Sequence, residues 1–402
     1  MSASSASPMG VSSRLATLMA MCCALAVSTI YYHQPLLPQM AASFGMAPTQ
    51  AGLVATLTQL GYALGLLFIV PLADCRQPRQ LALLAIAGNA VALLLCAVSP
   101  TFMMLCISSL LVGVTAITAQ LIIPCLSGLA TPAERGRIVG SLLSGLSAGL
   151  LLARMLGGFA GAHAGWRVVF VLASLSDVLL LFIVAKRLPA TASLQAISYG
   201  RLLGSLGSLV KQESVLRYCA ASGLLMFAAF SALWASLAAL LAQPPYGLDS
   251  ATIGLFGLVA LLGIVASPYI GTLTDRLGRH IMVLAGAMTI ALGFACIAAG
   301  GQHLGWLILG MVLLDLGNRA GLVANQARVF TLRTEARSRL NTVFMGSFFL
   351  GGAIGAALGN YGVHEAGWIG LAAVGILLSL AATVINALAP RESSSTMGGV
   401  RP

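Results

Sequence analysis

Roughly twelve apolar runs, each close to the length of about 20 residues that a bilayer crossing needs, divide this sequence. They fall at 15–40, 49–71, 81–98, 101–129, 138–161, 166–187, 216–241, 250–272, 281–299, 304–328, 338–361 and 366–389, numbered here as spans one to twelve. Inside lipid every backbone N–H and C=O has to be satisfied by the protein itself, and a helix does this within one segment. Apolar residues make up 59% of the chain and charged residues 8%, against about 25% charged in soluble globular domains. The expected fold is an all-α membrane protein.

The runs are not independent of one another. Gly165 and Trp166 in "AGWRVVF" recur as Gly367 and Trp368 in "AGWIGLA", 202 residues later in a chain of 402. At the same offset Arg135 and Arg137 fall on Arg337 and Arg339, Gly149 on Gly351 and Gly157 on Gly359. The "PLADCRQPR" around Asp74 is echoed 201 residues on by the "GTLTDRLGR" around Asp275. Parallel repeats of this size build one large class of transporters, with a site between two similar halves. The boundaries expected are a disordered N-terminus at 1–14, a six-helix bundle at 15–187 and a linker at 188–215. A second six-helix bundle follows at 216–389, with a tail at 390–402.

A formal net charge of +11 invites a nucleic-acid reading, which the placement of the charges rejects. Lys and Arg sit before span one and after each even-numbered span: Arg14, Arg76, Arg79, Arg135, Arg137, Lys186 to Lys211, Arg276, Arg279, Arg328 to Arg339, Arg391 and Arg401. Arg167 is the exception. This is the positive-inside pattern, with both termini in the cytoplasm. Span one reads as an uncleaved first helix rather than a signal peptide. The eight cysteines lack metal-binding spacing and lie almost wholly in apolar spans, as small core residues rather than disulfides. No N-x-S/T sequon occurs, which fits a bacterial inner membrane. No phosphate-cradling loop, metal cluster or nucleophile–base arrangement is present, so neither an enzyme nor a cofactor is expected. The partners expected are a small-molecule substrate, protons and the bilayer, with the chain acting as a monomer and binding no nucleic acid.

The loop at 271–280, "GTLTDRLGRH", resembles the G-x-L-x-D-R-x-G-R signature of the major facilitator superfamily through Gly271, Asp275, Arg276, Gly278 and Arg279. The copy after span two keeps Asp74 and Arg79 but has Val70, Cys75 and Pro78 where Gly, Arg and Gly or Arg are usual. In span five, Gly140, Gly149, Gly157 and Gly158 follow the G-x8-G-x3-G-P-x-x-G-G pattern of that family's antiporter branch, with Ala153 and Arg154 in place of Gly and Pro. From 13 to 390 the chain resembles the bacterial drug and sugar efflux branch, through "YYHQPLLPQMAASFG", "ERGRIVGSLLSGLSAGLLLARMLGG", "NQARVFTL" and "RSRLNTVF". The resemblance implies two six-helix bundles related by a pseudo-twofold axis, loop motifs that gate the cytoplasmic side, and proton-coupled export. It also implies a span-five glycine face that closes the outer gate against the other half. Span four lacks the buried arginine that many drug–proton antiporters of the family carry.

A charge at the centre of a membrane helix costs roughly 2.5–3.5 kcal/mol on insertion scales. Arg154, Asp177 and Asp315 stand that deep, and Arg319 lies one turn from Asp315, where i and i+4 side chains meet. Asp315 with Arg319 reads either as a proton-titratable carboxylate with its counter-ion or as a self-satisfying pair. Asp177 reads as structural, and His33 as a titratable or an interfacial group. Arg154 reads as an electrostatic latch between the halves or as a side chain snorkelling to the outer interface. The uncharged candidates for the cavity wall are Tyr31, Tyr32, Gln34, Gln120, Phe227, Phe230, Trp234, Asn318, Asn325, Asn341, Phe344 and Phe348. Such a mixture of aromatic and amide groups suits an amphipathic solute held by few directional bonds. The function expected is proton-coupled antiport exporting a small amphipathic or sugar-like solute. The alternatives are an importer on the same fold and a non-transporting receptor or scaffold.

Overall fold

The computed structural model describes residues 12–131, 134–189, 198–301, 303–333 and 336–390. Most of the expected N-terminal and C-terminal tails and part of the linker lie outside them. Ten helices among the described residues are long and apolar enough to cross a membrane. Spans two to ten are Gly52–Asp74, Pro78–Ala97, Phe102–Leu129, Arg135–Ala164, Trp166–Arg187, Ser214–Leu241, Ser250–Leu277, Arg279–Gly301 and Leu304–Phe330. The tenth helix, Arg337–Leu388, has 52 residues, or roughly 78 Å at 1.5 Å per residue, more than twice a hydrocarbon core. It is broken at Ala366 and Gly367, which separates spans eleven and twelve.

That break explains the repeated Gly-Trp pair. Gly165 has φ 83° and Gly367 φ 55°, a left-handed conformation that a side chain resists. Both glycines turn the chain from one span straight into the next. Gly278, φ 88°, does the same between spans eight and nine, inside the D-R-x-G-R loop.

Span one is shorter than its apolar run. The α-helix Ser13–Ser28 ends early, and the chain continues through a 3₁₀ turn at Gln34–Leu36 into Leu37–Ser43. Pro35 and Pro38 supply no backbone donor, which fits the interrupted hydrogen-bond ladder of this stretch. The Ser28 hydroxyl donates to the Ala24 and Gly149 carbonyls, at 2.8 and 3.0 Å. Side chains also start several helices. Asp249 accepts from the Thr252 N–H at 2.9 Å at the head of span eight, and these hydrogen bonds hold its carboxyl below the usual carboxylate range. The linker contains an amphipathic helix, Tyr199–Gln212, that buries Leu202, Leu206 and Leu209 on one face.

Packing repeats with the sequence. Span one lies on five, two on four and three on six; seven lies on eleven, eight on ten and nine on twelve. A Cβ at Gly149 would overlap the backbone of Ala24 in span one, and one at Gly351 the backbone of Leu224 in span seven. The pair offset by 202 residues in sequence thus occupies equivalent places in space. Most contacts between the halves run through two seams, span two against eleven and span five against eight, and span seven adds contacts to the end of span one.

Candidate functional site

Span five presents two faces, each spaced at four residues as helix geometry requires. Gly145, Gly149 and Gly157 pack on span one at Ala20, Ala24 and Tyr32, and Gly161 packs on Leu36 beyond it, all within the first half. The neighbouring face carries Arg154 and Gly158. A Cβ at Gly158 would overlap the Ser250 carbonyl, and Gly254 lies against the Arg154 carbonyl, so backbones of opposite halves touch here. The expectation of one glycine face pressed on the other half therefore needs correction. Only Gly158 of the motif glycines lies on that seam, because residues 149 and 157 share a face and 158 is turned 100° from them. Gly140, near the other end of the helix, has nothing within 4 Å of the Cβ position. Gln39 fastens the closed end, donating to the Gly161 carbonyl at 3.1 Å and to Ser250 Oγ at 2.9 Å.

Arg154 is 2% exposed and does not run to the membrane edge. Its guanidinium carbon lies 3.6 Å from the ring centroid of Trp234 in span seven and 5.3 Å from that of Tyr31. Its Nε donates to Gln34 Oε1 at 2.7 Å. Tyr31 and Gln34 come from the first half and Trp234 from the second, so one side chain bridges both. Gly257, without a Cβ, leaves room for the Arg154 stem. A narrow cleft beside it is lined by Gln34, Pro35, Arg154, Trp234, Leu237, Ala238 and Ile253.

Asp315 accepts from Arg319 Nε at 2.9 Å, and Arg319 Nη1 reaches Ser267 Oγ at 3.4 Å. Gly263 of span eight faces this pair, and any larger residue would collide with the Asp315 carboxylate. Arg154 lies within electrostatic reach of both Asp315 and Arg319, and His33, 2% exposed, within reach of Arg154. Asp177 is buried in span six and faces Tyr32 electrostatically, while Arg154 takes Gln34 as its hydrogen-bond partner.

The aromatic candidates form a ladder. Trp234 and Phe230 have centroids 6.2 Å apart, Phe230 and Phe227 5.6 Å, Phe227 and Phe348 4.0 Å. Phe227 also meets Phe349, which meets Tyr62 across the halves at 4.5 Å. Gln120 donates to Tyr62 Oη at 3.3 Å and Asn341 accepts from Gln326 at 3.0 Å. Tyr32 is half-buried against Gly157, and Asn318 is 6% exposed in span ten. Asn325 and Phe344 lie elsewhere than expected. Asn325 is fully buried and donates to Ser222, which also accepts from Asn386, and Phe344 packs on Gly223; both knit the second half together. Gln39, Gly254, Gly257, Gly263 and Ser267 carry no signal of their own in the sequence, because each is a small or uncharged residue in an apolar run.

The two loop motifs differ in setting. Asp74 lies within electrostatic reach of Arg339, at the start of span eleven, and Arg79 donates to the Ala185 carbonyl. Asp275 and Arg276 are exposed, Gly271 has nothing within 4 Å of its Cβ position, and Arg279 is half-buried. Spans five and eight therefore touch at the end carrying Gly158 and Ser250 and separate toward the end carrying Arg135 and Asp275. The exceptional Arg167 is anchored at the closed end, over the Trp166 ring at 4.3 Å and donating to the Ser99 carbonyl at 3.1 Å.

Two equivalent helical repeats, meeting along two seams with buried charges from both sides between them, define a multi-pass membrane transporter. The Major Facilitator Superfamily model matches residues 17–266 and 219–402, and the chain belongs to that family. It is accordingly a transporter rather than an enzyme. Over 370 residues it is 35% identical to the transporter YgaY of Escherichia coli (strain K12), covering 92% of this chain and 94% of that one. It is 34% identical over 385 residues to the transporter SCO4007 of Streptomyces coelicolor, covering 94% and 89%. The human organic anion transporter MFSD10 shares the fold at a TM-score of 0.71 and 19% identity, covering 93% of this chain and 99% of that one.

Proposed function

We propose that this secondary transporter couples proton movement to a small amphipathic or sugar-like solute by alternating access, working as an antiporter that exports the solute. It sits as a monomer in a bacterial inner membrane with both termini in the cytoplasm, and the bundles at 15–187 and 216–389 rock about the site between them. One observation carries the reading: Arg154 of the first half lies within electrostatic reach of Asp315 and Arg319 of the second. A carboxylate's proton affinity depends on the cations beside it and on its exposure to water. Rocking the halves moves Arg154 against Asp315, so opening and proton loading become one event. The closed contact at Gly158 and Ser250, with spans five and eight apart at the basic end, supports a seam that opens toward the cytoplasm, while spans two and eleven stay together there near Leu67 and Asp74.

The charge count of the same centre favours a second reading. Two arginines and one aspartate leave it net positive, so a proton on Asp315 strengthens the hold on an anionic solute. Proton and solute then travel together. Proteoliposomes holding a pH-sensitive dye separate the two. With solute added outside and no imposed gradient, antiport makes the lumen more alkaline and co-transport makes it more acidic, relative to protein-free liposomes. A solute flux with no lumen pH change would remove proton coupling altogether.

A further inference from the structure

We infer that the Nη edge of Arg154 is a carboxylate-binding subsite and that the solute is a small organic anion with a flat apolar body. The inference rests on reading the cleft between the halves as the transport site. The Arg154 guanidinium has three surfaces to satisfy. Its face is stacked on Trp234 at 3.6 Å and its Nε edge is taken by Gln34. The Nη1 and Nη2 groups have no hydrogen-bond partner among the described residues, although the side chain is 2% exposed. Two further buried nitrogens, Trp234 Nε1 and His33 Nε2, are also without a partner. A buried cation without its complement is costly.

Asp315 lies within electrostatic reach of Arg154 but makes no hydrogen bond to its Nη groups, and its Oδ2 accepts from Arg319. The cleft beside Arg154 is walled by Pro35, Leu237, Ala238 and Ile253 and contains no acid. A planar fork of N–H donors matches the two oxygens of a carboxylate, and stacking on an indole fixes the fork's plane beforehand. A cationic solute would be repelled there, and a neutral one could accept from the fork but would leave its charge uncompensated. Outside the cleft lining, the buried rings of Phe230, Phe227 and Phe348 run on from Trp234 at centroid spacings of 6.2, 5.6 and 4.0 Å, and separation of the halves would uncover them. A flat apolar body attached to the carboxylate would lie along this ladder.

The test is calorimetric titration of the full chain in detergent with 2-naphthoate and with 2-naphthamide, equal in shape and different in charge. Naphthoate is expected to bind about tenfold or more tightly than the amide, as a charge-assisted pair requires. Arg154→Gln should erase that preference. Arg154→Lys, which keeps the charge and is the safer variant for folding, should weaken naphthoate about tenfold by losing the fork. Equal binding of acid and amide, no saturable binding of either, or an unchanged preference in both variants overturns the subsite. The dye-loaded liposomes keep the two claims apart. Proton-coupled flux of some other solute without acid preference would sink the subsite and spare the coupling. Arg154-dependent naphthoate binding without proton movement for any solute would do the reverse.

Discussion

Arg154 and Asp315 would each be expensive alone in a bilayer, which is why they stand out in the sequence as positions with a purpose. Their surroundings do not stand out. Gln34 lies 120 residues from Arg154 and Trp234 belongs to the other half, and no local pattern announces that the three will meet. Snorkelling was a fair expectation for an arginine in the outer part of span five, and burial against an indole replaces it. Arg154→Lys checks the role of the guanidinium in transport. A lysine cannot stack its charge over Trp234 and bond Gln34 in one plane, so gradient-driven flux should fall by about tenfold or more at near-normal protein levels. Flux within a factor of two of the wild type would mean that only the charge matters.

Helix faces were half legible. The glycines of span five were visible as a packing face, but a motif read along the chain does not say which neighbour each position meets. The 100° step between residues 157 and 158 sends one to span one and the other to span eight. The consequence is measurable. Gly149→Leu and Gly351→Leu should each lower stability by about 1–3 kcal/mol, since each drives a side chain into a backbone of its own half. Gly140→Leu should be neutral, because that position faces open space. Thermal unfolding in detergent reads all three, and a Gly140→Leu loss as large as the others would refute the two-face description. Gly158→Leu sits on the seam between halves and should favour the state open at that end. Labelling of Gln39→Cys by an impermeant reagent should rise in that variant, and an unchanged rate would show that the contact is not a gate. The loops follow the same logic. Asp74, with Arg339 beside it, belongs to the conformation seen here, whereas the exposed Asp275 awaits closure of spans five and eight at the basic end.

For the whole molecule, the repeat was the most legible feature. An offset of 202 residues in the sequence returns as the same helix pairings in both halves and as left-handed glycines at Gly165 and Gly367. The linker helix and the early end of span one were not legible, because hydropathy registers an apolar run and ignores what two prolines do to its backbone. Orientation follows from the arginine and lysine asymmetry. Gln243→Cys, in the exposed turn before span eight, should react with an impermeant maleimide from outside, and Ser208→Cys on the linker helix should stay silent. The reverse labelling would invert the topology. Proton coupling through Asp315 is tested by Asp315→Asn. Asparagine can neither take up nor release a proton, so the halves should still carry solute across while the proton step is lost. In proteoliposomes the variant should exchange labelled for unlabelled solute at near wild-type rate and fail to accumulate it against a concentration gradient when a pH gradient is imposed. Accumulation driven by the pH gradient to the wild-type level would rule out Asp315 as the proton carrier and leave it as no more than the partner of Arg319.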